Sequence, residues 1–224
     1  RRRPSRPGET VVLVHGLGGA PAQMSLLGRR LRAAGYRVVN PKLSSTQPLE
    51  SIVEQLAGVV RACQAKGAET VHFVTHSLGG LVVRAYLAER PEPFEGRVVM
   101  LSPPNQGSEI VDAFQRSPLL TSILGPVGAQ LGTSPGNIPS SLGPADFEVG
   151  IIAGDKSINP IGSWLIPGPS DGAVSVERTR LEGAAAFKVV PATHTFLMNR
   201  ADVAADVIRF LSEGTFSASQ GATT

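Results

Sequence analysis

Five consecutive residues, Thr75, His76, Ser77, Leu78 and Gly79, stand where a short β-branched run gives way to a helical pattern. A chain that leaves a buried strand for a helix over so few residues must reverse sharply. The reversal leaves one side chain clear of the backbone, the arrangement of a nucleophile elbow. Such a turn needs small residues two places either side of the serine. Gly79 meets that need, and Thr75 meets it approximately. The competing reading is that Ser77 only caps the following helix, since serine is a favoured N-cap. The pentapeptide alone leaves both readings open.

A serine hydroxyl is a weak nucleophile at neutral pH and requires a base. The chain offers four histidines. His15 falls in a glycine-rich loop that it is expected to order. His72 falls within a strand, where a core or solvent-facing role is expected. His76 adjoins Ser77, but its side chain is expected to project away from it. Elimination leaves His194, in the loop between the last strand and the last helix, a place that returns it over the carboxyl edge of a parallel sheet. A carboxylate must then fix the imidazole tautomer and stabilise the imidazolium that forms. Asp155 and Asp171 both lie between Ser77 and His194 in the chain, so order admits either. An oxyanion needs two backbone donors, expected at Leu17, in the loop after the first strand, and at Leu78, after the serine. Gly16, Gly18 and Gly19 let that loop approach a substrate carbonyl without side-chain obstruction.

These residues need a scaffold, and the hydrophobic pattern supplies one. Apolar runs at 10–14, 36–40, 70–75, 97–101, 147–153 and 186–190 read as strands. Amphipathic stretches alternate with them: Met24, Leu27 and Leu31; Ile52, Leu56, Val59, Val60 and Cys63; a run from about 79 to 90 halted by Pro91; and Val203, Val207 and Leu211. That alternation predicts an α/β fold, a parallel sheet of about six strands with helices on both faces. Two stretches break it. Residues 102–146 are rich in Gly, Pro and Ser yet carry Ile110, Val111, Phe114, Leu119, Leu120, Ile123 and Leu124, which predicts a small, partly helical cap insertion. Residues 154–170 carry Trp164, Leu165 and Ile166 among turn residues.

The chain of 224 residues is expected to form a single domain, with a basic tail over 1–9 and a flexible tail over 212–224. Its net charge is +3, but Arg1, Arg2, Arg3 and Arg6 alone contribute +4 and the remainder carries −1. No basic stripe interleaved with aromatics follows, so nucleic acid is not an expected partner. The lone Cys63 can form no intramolecular disulfide. No segment is apolar for the length a membrane span requires. A cytoplasmic location is slightly favoured, with export behind a removed leader left open because the chain begins at Arg1. The oligomeric state stays unassigned.

Taken jointly, Val-His-Gly-Leu at 14–17, Thr-His-Ser-Leu-Gly-Gly at 75–80, Pro-Pro-Asn-Gln-Gly-Ser at 103–108, Asp171-Gly172 and His194 resemble the α/β-hydrolase superfamily. Within it they resemble small bacterial lipases and esterases. The resemblance implies an α/β-hydrolase fold and a serine carboxylic ester hydrolase acting on a small-molecule or lipid ester without a cofactor. It favours Asp171 over Asp155, because Asp-Gly-Ala-Val followed by Ser175 is similar to the acid-bearing loop of bacterial lipases. Larger relatives place a calcium-binding aspartate shortly after the catalytic histidine; Thr195, Phe196 and Leu197 stand there instead, so no metal is expected. Acyltransfer, thioester or amide cleavage by the same residues is the alternative, and a non-catalytic binding protein on this fold the more distant one. Phe114, Leu119 and Trp164 are the candidate contacts for an acyl or aromatic group.

Overall fold

The computed structural model describes residues 6–90, 92–116, 118–158 and 160–218. Six strands form one sheet: β1 (Glu9–Val14), β2 (Arg37–Val39), β3 (Thr70–His76), β4 (Val98–Leu101), β5 (Val149–Gly154) and β6 (Ala186–Val190). Every neighbouring pair is parallel, in the order β2-β1-β3-β4-β5-β6. The sequence pattern predicts these six, with ends that shift by one to two residues.

Side-chain alternation assigns each strand residue to one of two apolar layers. Val12, Val14, Phe73, Val98, Met100 and Ile151 point to the layer covered by α2 (Leu49–Ala65) and α3 (Leu78–Ala88). Val11, Leu13, Val74, Val99, Leu101 and Ile152 point to the other, covered by α1 (Ser25–Ala33) and α8 (Ala201–Glu213). The expected stripes are buried at Leu27 and Leu31 on α1, with Met24 buried in the turn before it, at Ile52, Leu56, Val60 and Cys63 on α2, and at Val203, Val207 and Leu211 on α8; Val59, at the margin of the α2 stripe, is only partly buried. Each such side chain contributes roughly 1.5–3 kcal/mol through removal from water. Helix α3 is buried from Leu78 to Leu87, on every side rather than along one stripe, so the segment after Ser77 lies in the middle of the molecule.

The 102–146 insertion is helical in three places: α4 (Glu109–Gln115), α5 (Pro118–Gly128) and α6 (Ile138–Ser141). Gly125, at φ 69° and ψ 178°, breaks α5 ahead of Pro126. A short α7 (Pro160–Leu165) interrupts the second excursion and reaches the turn that holds Asp171. A Cβ on Gly162 would lie 2.3 Å from the Gly172 carbonyl oxygen, so only glycine permits that approach.

Residues in both of the expected tails make contacts. Arg6 lays its guanidinium over the Tyr36 ring, 4.7 Å from the centroid, and β1 starts at Glu9. Past Ser212, the Phe216 ring lies 5.1 Å from that of Phe210, and the Ser217 amide donates to Asp206 at 2.9 Å. Apolar and charged anchors inside a mostly polar segment fasten it to α8. Arg1, Arg2 and Arg3 of the basic tail, Pro91 and residues 219–224 lie outside the described residues.

Candidate active site

The chain turns back on itself between β1 and β3: β2 lies on one side of β1 and β3 on the other. In open parallel sheets a crevice forms at the carboxyl ends where strand order reverses in this way. The loops leaving β1 and β3 are those that carry Leu17 and Ser77. Val14 pairs with Thr75, His76 with Leu101, and Leu101 with Ile152, so the turns of four strands emerge at one level.

Ser77 stands at φ 53° and ψ −125°, a left-handed backbone that only a strained turn imposes on a residue with a side chain. Its amide donates to the Leu101 carbonyl at 2.9 Å, and its carbonyl accepts from the Gly80 amide at 3.0 Å. A Cβ on Gly79 would lie 2.3 Å from the Val14 carbonyl oxygen, so the helix after the serine rests directly on the β1 backbone. Thr75 is fully buried and its hydroxyl has no hydrogen-bond partner, so here the small-residue requirement is met by threonine at the cost of one unsatisfied polar atom. Ser77 itself does not use its side chain to cap α3.

Gly16 to Gly19 form a tight turn, with the Gly19 amide on the Gly16 carbonyl at 3.1 Å and Gly18 at φ 59°. His15 fastens this turn: its Nε2 accepts from the Leu43 amide at 3.1 Å, which leaves Nδ1–H to donate to the Gly16 carbonyl at 3.0 Å. Leu17 lies on the cavity wall and Leu78 begins α3, where the first amides of a helix have no partner within it. His72 is buried in β3, where its Nδ1 accepts from the Arg97 amide at 3.0 Å.

The structure brings His194 to Asp171. Nδ1 of His194 lies 2.7 Å from Asp171 Oδ2, and the His194 amide donates to the Asp171 carbonyl at 3.0 Å. The other carboxylate oxygen accepts from the amides of Ala173 at 3.0 Å and Val174 at 2.9 Å. Burial of Asp171 works to raise its pKa, but the adjacent His194, a Ser102 hydroxyl bond and the Val174 amide together hold it below the ordinary carboxylate range. An ionised carboxylate only accepts, so Nδ1 carries the proton and Nε2 of His194 is left as an acceptor. Asp155 is placed differently, with one oxygen 3.6 Å from Lys156 Nζ and buried without a hydrogen bond.

Ser77, His76 and His194 share the wall of one cavity of about 260 Å³. Its other walls are Gly16 and Leu17 from the β1 loop; Pro104, Ile110, Val111, Leu124 and Leu131 from the insertion; Ala173 and Val174 from the acid turn; Met198; and the polar Gln23, Ser108 and Thr195. Among the described residues, no Asp, Glu, Lys or Arg lines it. A cavity of about 290 Å³ at the opposite, amino edge is bordered by Glu69, Arg90, Glu92 and Glu95 and contains neither serine nor histidine.

Two of the expected substrate contacts are elsewhere. Trp164 is 84% exposed on α7, and Phe114 packs, partly buried, against the α2–α3 layer; neither lines the cavity. The Leu119 side chain lies outside the described residues. His76 also departs from expectation: its ring lines the cavity, 4.7 Å from the His194 ring centroid, rather than pointing away from the site. The signal was available in the alternation. Val74 faces the α1–α8 layer, His76 continues that face, and the loop leading into α8 carries His194. Ser102, fully buried with φ 46°, was not singled out by motif, and its hydroxyl supports Asp171.

This fold and the arrangement at its carboxyl edge define an α/β-hydrolase. A family model described as alpha/beta hydrolase family matches residues 11–213, and the chain belongs to that family. Among solved structures, the mature form of Bacillus licheniformis lipase BlEst2 is similar, with 20% identity, a TM-score of 0.70, and coverage of 95% of this chain and 94% of that one. Phospholipase PlaB from Legionella pneumophila in complex with thio-NAD is 17% identical with a TM-score of 0.70, over 92% of this chain and 59% of its own. Aspergillus fumigatus lipase B is 17% identical with a TM-score of 0.68, over 94% and 54%. At these identities the likeness is one of fold. No curated protein matches the chain in sequence. Among the described residues, no helix is long and apolar enough to cross a membrane.

Proposed function

We propose that the chain hydrolyses carboxylic esters through an acyl-enzyme on Ser77. The observation that carries this reading is the Asp171 carboxylate hydrogen-bonded to His194 Nδ1, with His194 and a serine held in a strained turn lining one cavity. His194 takes the Ser77 proton as the serine oxygen attacks the ester carbonyl, and the Leu17 and Leu78 amides receive the oxyanion. His194 then gives the proton to the departing alcohol. A water deprotonated by His194 attacks the acyl carbonyl, and the proton returns to Ser77 as the acid leaves. Asp171 fixes the tautomer throughout. Walls in which Leu, Ile, Val, Met and Pro outnumber the polar Gln23, Ser108 and Thr195, with no charged side chain among the described residues, favour an uncharged, mainly apolar acyl group.

The test is turnover of p-nitrophenyl butyrate by Ser77→Ala, expected to fall by at least about 10⁴-fold, together with loss of fluorophosphonate labelling. Wild-type turnover in the folded variant overturns the reading.

A further inference from the structure

His194 is held by more than its carboxylate. Its amide is fixed to the Asp171 carbonyl at 3.0 Å and its ring to the Asp171 side chain at 2.7 Å. Its own carbonyl lies 2.9 Å from His76 Nε2, a contact that spans 118 residues of sequence. A carbonyl accepts only, so Nε2 of His76 carries the proton and donates. Nδ1 of His76 is then the bare nitrogen; it is buried without a hydrogen-bond partner and faces Gly16, where a Cβ would lie 3.3 Å away. His76 is itself the residue before Ser77 and is 94% buried, so it cannot move independently of the turn that presents the serine.

We propose that His76 is a positioning residue for His194: its Nε2–H fastens the histidine loop to the serine turn and thereby sets where the imidazole stands relative to the Ser77 oxygen. The inference rests on the reading of His194 as the base. Geometry supports it twice over. The donor sits one residue from the nucleophile and its acceptor belongs to the base itself, so a single hydrogen bond joins the two groups whose separation matters most. The two rings also lie 4.7 Å apart at 47°, so the face of one limits rotation of the other. Burial, and then the neighbouring His194, push the His76 pKa down to about 3, so His76 stays neutral wherever an imidazole base works and adds no charge to oppose an imidazolium. Gly16 belongs to the same device, because a side chain there would press on both His76 and the Ser77 Cβ, 3.0 Å from the built position.

The experiment compares His76→Phe, which keeps a ring but loses the donor, with His76→Gln, whose amide can place a donor at the same carbonyl. His76→Asn, too short to reach it, serves where His76→Phe does not fold. Melting temperature establishes folding; kcat and KM on p-nitrophenyl butyrate and the low-field proton resonance of the His194–Asp171 hydrogen bond are the readouts. Misplacing a base by a fraction of an ångström to one ångström costs roughly 10- to 100-fold, so kcat is expected to fall by that much in Phe and Asn with KM nearly unchanged. The low-field resonance is expected to broaden in these variants, and Gln to restore both signals. A folded Phe or Asn variant with wild-type kcat, or a Gln variant as impaired as Phe, overturns the proposal. Absence of fluorophosphonate labelling of wild-type Ser77 would instead overturn the functional reading, which separates the two failures.

Discussion

The turns that follow β3 and β4 begin alike and end in opposite places. Each carries a serine with positive φ, 53° at Ser77 and 46° at Ser102, and among the described residues these are the two non-glycine positions in that region. They are joined through the Ser77 amide on the Leu101 carbonyl. Ser77 opens onto the cavity, whereas Ser102 is fully buried, with its hydroxyl on Asp171 and the Gly154 amide 3.4 Å from its oxygen. One backbone device therefore serves two ends: the first brings a hydroxyl to the cavity, where we propose that it reacts, and the second buries one against the Asp171 carboxylate. What separates them is the cover. The β3 turn lies at the reversal of strand order, where a crevice forms, while at the β4 turn the Ser102 amide donates to Ile152 of the neighbouring β5 and its hydroxyl meets Asp171.

The strongest challenge to this contrast comes from the carboxylates. Asp171→Asn is expected to lower kcat by about 10³- to 10⁴-fold, because the amide favours the wrong imidazole tautomer, while Asp155→Asn stays within about twofold. Equal losses would detach the buried turn from the chemistry. Next, Ser102→Ala removes a hydrogen bond to a buried anion and is expected to lower kcat about tenfold. Ser102→Gly should lose the same activity yet melt higher than Ser102→Ala, since glycine relieves backbone strain worth about 1 kcal/mol or more. If Ala and Gly melt together, the two turns are not equivalently strained.

A third test concerns pH and the turn that is open. Around His76 stand His194, Asp171 and His15, and its pKa is pushed from 6.5 down to about 3. As pH falls through that window the unfolded chain binds a proton that the folded chain does not, so stability falls with pH. His72, whose pKa is also lowered by burial, acts in the same direction. Melting temperature between pH 6.5 and 4 should therefore drop less steeply in His76→Gln than in wild type, and an unchanged slope would contradict a neutral, buried His76. The smallest effect is expected at Thr75→Val, which removes an unpartnered buried hydroxyl and should be neutral or stabilising by up to about 1 kcal/mol in chemical unfolding. A larger loss would reveal a partner for that hydroxyl.

Much of this was readable from residue patterning because buried parallel strands are written as uninterrupted apolar runs, and the six runs fall at the six strands. Ser77 was legible because the strand-to-helix change is local. Elimination alone brought His194 forward. Chain order did not separate the two candidate acids, since Asp155 and Asp171 satisfy it equally; the preference for Asp171 came from the resemblance of its loop, and the turn's backbone donors and the His194 contact add a physical reason for it. Trp164 misled because apolar character says nothing of whether a short helix faces a cavity or solvent; Gly162, by pressing α7 onto Gly172, leaves Trp164 on the outside. Ser102 was hidden because positive φ at a non-glycine residue has no sequence signature.

The turn around Asp171 has a consequence for how this architecture can vary. Ser170 and Ser175 form an antiparallel bridge that closes it, and the Ala173 and Val174 amides within it solvate the carboxylate. The turn thus supplies two of the carboxylate's donors itself, and Ser102 after β4 adds a third. A six-residue module of this kind can end an excursion of another length after β5 where it keeps its contacts with Ser102, with Gly162 and with the histidine loop. Variation in residues 155–169 is thus confined to what keeps Gly162 against Gly172, and the outer surface, where Trp164 stands, is the part that can change shape without moving the charge behind His194.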